Sequence, residues 1–351
     1  MSIRQTPHLW IPKAKILEPR DPLTMKVGLA AEFRLRAIRP NGQCRVDTGF
    51  FHNLITNVGL NDAHSGTATF NAISVGTGNT PPAYTDTTLA ARVATTTTVQ
   101  SSQEGQSGSP GDPDFYRWVE KTLRFAQGVA QGNLTEVGAT RSSSPYTTYS
   151  RALILDGSGN PTTLTVLADE FLDVTYRVRF YPGDTSDVNT SILISGQSHD
   201  IVLRPAEMDG TSNLWRPGSG SIDWNVRMGH PGTFGFANSG HHQVYPSTSV
   251  LGPITGSPSG TGLSSGTSSG NAAYINGTFF QDFFGVWGLN EGNAAGGIAA
   301  VRVAAGYGRT LPGSGGSACA AYQFSLNPVI AKTNSHILTL NFRQSWARRA
   351  I

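Results

Sequence analysis

A run of strict two-residue alternation near the middle of the chain constrains the fold most. From residue 172 to residue 180 every second side chain is apolar, namely Leu172, Val174, Tyr176, Val178 and Phe180. Because successive side chains of a β-strand point to opposite faces, this pattern predicts a strand with one apolar and one polar face. Shorter alternating runs over residues 32–37 and 338–346 predict two further strands. The sequence therefore predicts a protein that contains β-sheets.

The composition favours the same fold class. The 41 Gly and 20 Pro residues supply many turns and argue against long helices, while only 38% of the residues are apolar. Disordered chains combine high net charge with few aromatic residues, whereas this chain has 6 Trp, 10 Tyr and 16 Phe to bury. We therefore predict a folded, turn-rich, all-β protein.

The length predicts two domains, because 351 residues exceed one ordinary domain of about 150 residues. Four prolines near the start predict an extended, proline-rich N-terminal arm over residues 1–24. Residues 25–183 and 184–351 are then expected to form two β-sandwich-like domains. We hypothesise that the two domains are a duplication of one β unit. In the first domain, strands at residues 152–155 and 164–167 flank a turn at residues 156–161. Asn327-Pro328 is the expected counterpart of that turn in the second domain.

Two local features concern the helix content and the loops. A short helix is predicted within residues 85–93, where Asp86 or Thr87 can cap the first free amides. Residues 246–271 form a long loop rich in Gly, Ser and Thr, inside a region without any charged residue. Such a loop is either a linker without a role or a segment packed against a partner.

Charge and cysteine content exclude several classes of function. The formal charge of +3 is too small for binding through phosphate neutralisation, so nucleic acid is not predicted as a partner. Cys44 and Cys319 are too far apart in sequence for a metal motif or a disulfide scaffold, and both are predicted to be reduced. Neither a signal-peptide core nor a run of 18 apolar residues occurs, so we expect synthesis in a cytoplasm and no membrane insertion.

The motifs give little support for catalysis. Residues 266–270 match Gly-x-Ser-x-Gly but lie in low-complexity sequence, whereas a nucleophile elbow needs a strand-to-helix turn. Dinucleotide and P-loop motifs do not occur, and the adjacent His241 and His242 suit a metal site only across a symmetry axis. A glycosidase needs two facing carboxylates. The closest pairs in sequence, which we interpret as turn and strand-entry residues, are Asp169 with Glu170 and Asp112 with Asp114. We predict no enzyme activity, no cofactor and no metal.

Two groups of bulky side chains are the predicted subunit contacts. In the arm, apolar residues that the arm itself cannot bury are expected to insert into a neighbouring subunit; they are Trp10, Ile11, Ile16 and Leu17. A second group is expected to fill a core or a subunit interface rather than to bind sugars, and it comprises Phe279, Phe280, Phe283, Phe284 and Trp287.

Several spaced segments carry a resemblance. They are residues 48–60 (TGFFHNLITNVGL), 73–82 (ISVGTGNTPP), 124–128 (RFAQG), 134–138 (LTEVG), 150–152 (SRA), 154–156 (ILD), 166–167 (VL) and 172–176 (LDVTY). In these segments the chain resembles virion structural proteins of tailed bacteriophages, and is similar to tail-fibre and fibre-tail adaptor proteins of short-tailed phages. The likeness covers residues 53–181 and is weaker around residues 287–290 and the last strand. It implies a non-enzymatic structural role and carries no catalytic residues.

The resemblance implies a component of the virion tail, assembled in the host bacterial cytoplasm. We expect a ring, collar or adaptor that anchors tail fibres and that contacts other copies of itself and other tail proteins. A short trimeric tail fibre that binds the host surface is the alternative, with a host surface glycan as its partner. A capsid decoration protein and a glycan hydrolase are weaker alternatives. The sequence contains no collagen-like or heptad shaft, which favours the adaptor.

Overall fold

The chain folds almost entirely into β-strands, which confirms the predicted all-β class. The structure is a computed structural model that describes residues 15–18, 21–65, 71–182, 186–208, 243–258, 263, 268–305 and 320–350. The elements in chain order are β1 (Lys15–Leu17), β2 (Leu23–Ile38), β3 (Cys44–Asp47), β4 (Phe51–His52), β5 (Leu54–Ile55), α1 (Asn57–Ser65), β6 (Ala72–Gly76), β7 (Arg92–Thr96), β8 (Val99–Ser107), β9 (Tyr116–Phe125), β10 (Gly132–Leu134), β11 (Glu136–Thr140), β12 (Thr148–Leu153), β13 (Leu164–Val166), β14 (Phe171–Tyr181), β15 (Val188–Ile194), β16 (Gln197–Pro205), β17 (Gln243–Ser247), β18 (Ser268–Asn271), β19 (Phe280–Trp287), β20 (Ile298–Ala305), β21 (Ala320–Ile330) and β22 (His336–Arg348).

Four sheets contain these strands. The largest, called the central sheet, has ten strands: seven in the order β18-β19-β22-β2-β14-β9-β8, with β1 beside β22 and with β3 and β4 beside β2. The first five-stranded sheet has the order β5-β12-β11-β6-β7, and the second has the order β15-β16-β21-β20-β17. Strands β10 and β13 form a separate pair.

Strand β2 occupies the middle position of the central sheet. Its 16 residues contain no proline, and its odd-numbered side chains from Leu23 to Ala37 are apolar and buried. On one side it pairs with β14 over its last eleven residues. On the other side it pairs in turn with β22, β4 and β3. One strand therefore joins elements from both ends of the chain.

Both five-stranded sheets pack against the apolar side of the central sheet. Toward the first, Ser150 Oγ on β12 donates to the hydroxyl of Tyr176 on β14 at 2.9 Å. Toward the second, the rings of Phe324 and Phe342 lie 6.2 Å apart. The result is the sandwich-like layering that alternating strands predict.

The central sheet crosses the boundary predicted near residue 183. It combines β2, β9 and β14 from the first predicted domain with β19 and β22 from the second. Residues 25–183 and 184–351 therefore share this sheet. The expected repeat fails in detail as well: Asn327-Pro328 lies inside the continuous strand β21, and β13 pairs with β10 rather than with β12.

The helix predicted within residues 85–93 is wrong, because that segment forms turns and the first residues of β7. The helix that the structure contains, α1, begins after Thr56, whose Oγ1 accepts a hydrogen bond from the Gly59 amide at 3.1 Å. This is the bond of an N-cap residue. A Cβ at Gly59 would lie 2.3 Å from the Tyr149 carbonyl oxygen, so the glycine lets α1 approach β12 closely.

The predicted arm and loop are partly built into the fold. Residues 15–17 form β1, which pairs in parallel with β22, so this part of the predicted arm lies against its own chain. In the loop at residues 246–271, the amide of Gly252 donates to Gln323 Oε1 at 2.8 Å, and Gln323 Nε2 donates to the carbonyls of Gly252 and Pro253. This part of the loop packs against its own chain. Residues 1–14, 259–262 and 264–267 lie outside the described residues.

A buried ion pair lies where three of the segments quoted in the sequence analysis meet. Arg151 Nη2 lies 2.8 Å from Glu136 Oε2, and both side chains are buried. Glu136 also accepts hydrogen bonds from the amides of Gly78, Ala90 and Ala91. The resembling segments at residues 73–82, 134–138 and 150–152 thus meet at one carboxylate. Arg151 Nη1 reaches the Asp86 carboxylate at 2.8 Å as well.

We predict that Glu136→Gln lowers the free energy of unfolding by about 3 kcal/mol, because it breaks a buried pair and turns an amide donor toward other donors. Urea denaturation followed by circular dichroism measures this change. The matched control is Asp114→Asn, which neutralises a 96% exposed carboxylate in a surface pair and should leave stability unchanged. Equal stability losses in the two variants would contradict the prediction.

A second ion pair connects β3 to the start of β14. The buried Glu170 carboxylate accepts hydrogen bonds from Arg45 Nε at 2.5 Å, from Arg45 Nη2 at 2.7 Å and from the Leu167 amide at 3.0 Å. The hydrogen bond from Arg45, followed by the amide of Leu167 and the charge of Arg45, outweighs desolvation and lowers the pKa of Glu170 from 4.5 to about 2. The folded protein therefore holds the Glu170 carboxylate in its charged form.

This pKa shift predicts acid sensitivity. Between about pH 4.5 and pH 2 the unfolded chain binds a proton at Glu170 that the folded chain does not bind, so the free energy of unfolding falls as the pH is lowered through that window. Urea unfolding at a series of pH values should show a shallower fall in Glu170→Gln. The neighbouring, exposed Asp169→Asn should retain the wild-type slope, and parallel curves for wild type and Glu170→Gln would refute the assignment.

Candidate functional site

The outer face of the central sheet carries the most concentrated set of polar and aromatic side chains that the described residues contain. We call it the arginine ladder, and its members are Glu32, Arg34, Arg36, Phe50, Tyr116, Trp118, Glu120, Arg124, Asp173, Arg177, Arg179 and Tyr181. Most of them come from β2, β9 and β14, whose alternate residues form the core. Strand alternation therefore places the whole set on the face away from the two five-stranded sheets.

The strand register places opposite charges beside each other. Arg177 lies across from Glu32 on β2 and from Glu120 on β9. Its Nη2 is 2.7 Å from Glu120 Oε2, and its Nη1 is 3.8 Å from Glu32 Oε2. Arg179 Nη2 is 2.5 Å from Glu32 Oε1. Opposite charges on adjacent strands stabilise a sheet and fix its register.

Nearer the start of β14, Asp173 also lies between two oppositely charged residues, with the charges reversed. It lies between Arg36 and Arg124, and its two oxygens accept hydrogen bonds from Nε and Nη2 of Arg124 at 2.6 Å and 2.8 Å. The hydrogen bond to Asp173 raises the pKa of Arg124. The ladder therefore combines many charges with little net charge.

Aromatic rings fill the space between the guanidinium groups. The Arg177 guanidinium lies 3.9 Å from the centre of the Phe50 ring and 4.7 Å from that of Trp118. Toward the end of β14, Arg179 lies over Tyr116 at 4.5 Å, and the rings of Tyr116 and Tyr181 are 5.2 Å apart. Cation–π contacts of this kind hold the long arginine side chains flat against the sheet.

A glycine on the edge strand makes room for the largest ring. A Cβ at Gly105 of β8 would lie 2.5 Å from Trp118 Cζ2, so only glycine lets the indole lie across β8. The Trp118 ring is thus held between Gly105 and Arg177.

The same outer face continues across β2 to β22 and β19. Arg343 lies over the Phe280 ring at 3.7 Å, and its Nε and Nη2 donate to Asp282 at 2.6 Å and 2.7 Å. The register places Arg343 beside Thr24, whose side chain belongs to the outer face of β2. Phe284 covers Gly270 of β18 in the same way as Trp118 covers Gly105.

The arrangement has the composition of a contact surface. It is a broad sheet face rather than an enclosed cavity, and its Arg, Trp and Tyr side chains are the types that dominate protein interfaces. The guanidinium groups already have carboxylate partners and are held in place, so a partner would meet a preorganised surface.

The nine predicted contact residues lie in different parts of the structure. Leu17, Phe283 and Trp287 are buried in the core of their own chain, and for the two aromatic residues this is the core position that the sequence analysis allowed. Ile16 is 59% exposed. Phe280 and Phe284 are half-buried on the outer face, and Phe279 packs partly against the core. Trp10 and Ile11 lie outside the described residues.

The other residues singled out in the sequence have structural roles where they are described. Asp112 Oδ2 accepts a hydrogen bond from the Ser109 amide at 2.6 Å, as a turn residue does. Cys44 is a free, exposed cysteine, while Cys319, His241 and His242 lie outside the described residues. Within the described part of the chain, no group of three or more His, Cys, Asp or Glu side chains could hold a metal ion.

Sequence reasoning identified the polar face of β14 but missed the ladder on it. The signal that could have found it is the spacing of Arg177 and Arg179, two residues apart on a predicted strand, with Glu32, Arg34 and Arg36 at the same spacing on the strand at residues 32–37. Neither the sheet order nor the aromatic partners follow from that signal.

Comparison with known proteins adds no relative. No protein-family model, no curated protein and no solved structure matches this chain. Among the described residues, the single helix α1 is too short and too polar to cross a membrane.

Proposed function

We propose that the protein is a non-enzymatic structural component of a phage tail, which forms a ring or collar and acts as an adaptor that anchors tail fibres. The outer face of the central sheet is the surface through which it contacts its neighbours. The observation that carries this proposal is the arginine ladder, a preorganised face of the composition that protein interfaces use. The resemblance of the segments between residues 53 and 181 to tail-fibre and adaptor proteins supports the same role.

Sheet edges give independent support. Strand β8 ends the central sheet with nine residues that include only one charged residue, Glu104, and no proline. Edge strands without charge or proline readily pair with another chain, and closed symmetric assemblies cover such edges. A ring that contacts each neighbour through the β8 side of the central sheet would cover both the edge and the adjacent ladder.

We predict that Trp118→Ala weakens this assembly. Losing one central interface aromatic costs about 2 kcal/mol of association free energy, which raises the dissociation constant about thirtyfold. Light scattering on a sizing column, repeated across concentration, should show wild-type protein as an assembly of more than three 37.2 kDa subunits. The variant should dissociate at concentrations at which the wild type remains assembled.

The matched control is Tyr245→Ala. Tyr245 also lies beneath an arginine, Arg302, which pairs with Glu207, but this group belongs to the second five-stranded sheet. The control should assemble like the wild type, with circular dichroism confirming that both variants fold. An assembly that Trp118→Ala leaves intact would contradict the role of the ladder. A stable trimer would favour the short tail fibre, and a monomer at every concentration would contradict the ring.

A further inference from the structure

The central sheet is interrupted where β2 changes partners. Leu29 is the last residue of β2 that pairs with β22, and Glu32 is the first that pairs with β4. The Arg349 amide donates to the Leu29 carbonyl at 2.8 Å, and the Asn53 amide donates to the Ala31 carbonyl at 3.3 Å. Between these two strand ends lies a cleft of about 380 Å³, bordered by Ala30, His52, Tyr84, Arg348 and Arg349. We call it the partner-change cleft.

The cleft contains a cation for which the described residues supply no counter-ion. Arg348 makes no ion pair with any described residue; its Nε donates to the Ile55 carbonyl at 2.5 Å and its Nη2 to Asn57 Oδ1 at 2.6 Å. Its Nη1 makes no hydrogen bond within the described part of the chain. Partial burial lowers the pKa of Arg348, which remains a strong base. A guanidinium that is desolvated but unpaired attracts an anion.

The walls of the cleft suit a ring-shaped ligand. The Arg348 guanidinium lies over the Tyr84 ring at 4.2 Å, and Tyr84 is 54% exposed, so an apolar ring surface lies beside the free N–H groups. His52, whose Nδ1 lies 3.8 Å from Glu32 Oε1, and Arg349, which pairs with Asp114, also border the cleft. A few convergent polar groups beside an aromatic wall are typical of small-ligand sites of this volume.

The size of the interruption argues against an extended peptide. From Leu29 to Glu32 is three steps along a strand, or about 10 Å, and strand ends close the interruption on both sides. A peptide that adds a strand to a sheet needs several consecutive residues along an open edge. The space therefore suits one compact unit.

We propose that the partner-change cleft binds a single carboxylated sugar unit, with its carboxylate on Arg348 and its ring against Tyr84. One uncompensated positive charge matches one carboxylate better than a phosphate, which carries a charge of about −2. This inference is independent of the structural role proposed above, since the cleft and the ladder use different residues.

The test is binding of glucuronate to the full-length protein, measured by calorimetry and by ligand-observed NMR. We expect a dissociation constant of about 1 mM, as is common for one small polar ligand, and binding of uncharged glucose at least about tenfold weaker. Arg348→Gln should weaken glucuronate binding about tenfold or more, because it removes the charged partner. Tyr84→Ala changes an exposed side chain and should weaken it about threefold.

The matched control is Arg92→Gln. Arg92 also stacks on a tyrosine, Tyr146, at 3.8 Å and also has no carboxylate partner among the described residues, but it borders no cleft that we find there. Its variant should bind glucuronate like the wild type. Equal binding of glucose and glucuronate, or no loss in folded Arg348→Gln and Tyr84→Ala, would overturn the proposal. Tighter binding of glucose 6-phosphate or of N-acetylglutamate would overturn the carboxylate or the sugar assignment, respectively.

Discussion

The rest of the structure depends on one strand having two sets of partners. Strand β2 pairs with β14 on one side along the part of its length that the arginine ladder uses, and on the other side it exchanges β22 for β4 after Leu29. Because β14 lies about 150 residues and β22 more than 300 residues after β2 in the sequence, the hydrogen bonding of β2 depends on pairing across long sequence separations. Long-range pairing of this kind joins both halves of the chain in one sheet.

The ladder and the partner-change cleft are consequences of this arrangement. The register of β2 with β14 places Glu32 where it reaches both Arg177 and Arg179, and a shift by one residue would turn these charges into the core. The exchange of partners leaves Ala30 without a neighbouring strand on one side, and there Arg348 and Arg349, which point to opposite faces, both reach the cleft. The core alternation of β2 thus determines where polar side chains collect.

The sequence predicts some levels of this structure and not others. Alternation over residues 172–181 identifies β14 within one residue, because the period of two is a local property of the strand. The sequence predicts the helix at residues 85–93 instead of 57–65, because Asp86 has the side chain of a cap residue. In the structure the Asp86 carboxylate binds Arg151, 65 positions away. The motif around Glu136 was visible as a resemblance only. The structural role of this motif depends on which backbone amides donate to the Glu136 carboxylate, and no local sequence pattern encodes that.

Charge pairing explains why the overall composition says little about the functional surfaces. Charged residues make up only 14% of the chain, and the net charge of +3 is close to neutral. Yet the ladder concentrates eight of these charges, five arginines and three carboxylates, so that a highly charged face adds only a small net charge to the sum. A neutral total therefore does not imply a featureless surface. The informative quantity is the local balance, which is satisfied along β14 and unsatisfied at Arg348, and this difference separates a face suited to a large partner from a cleft suited to one small anion.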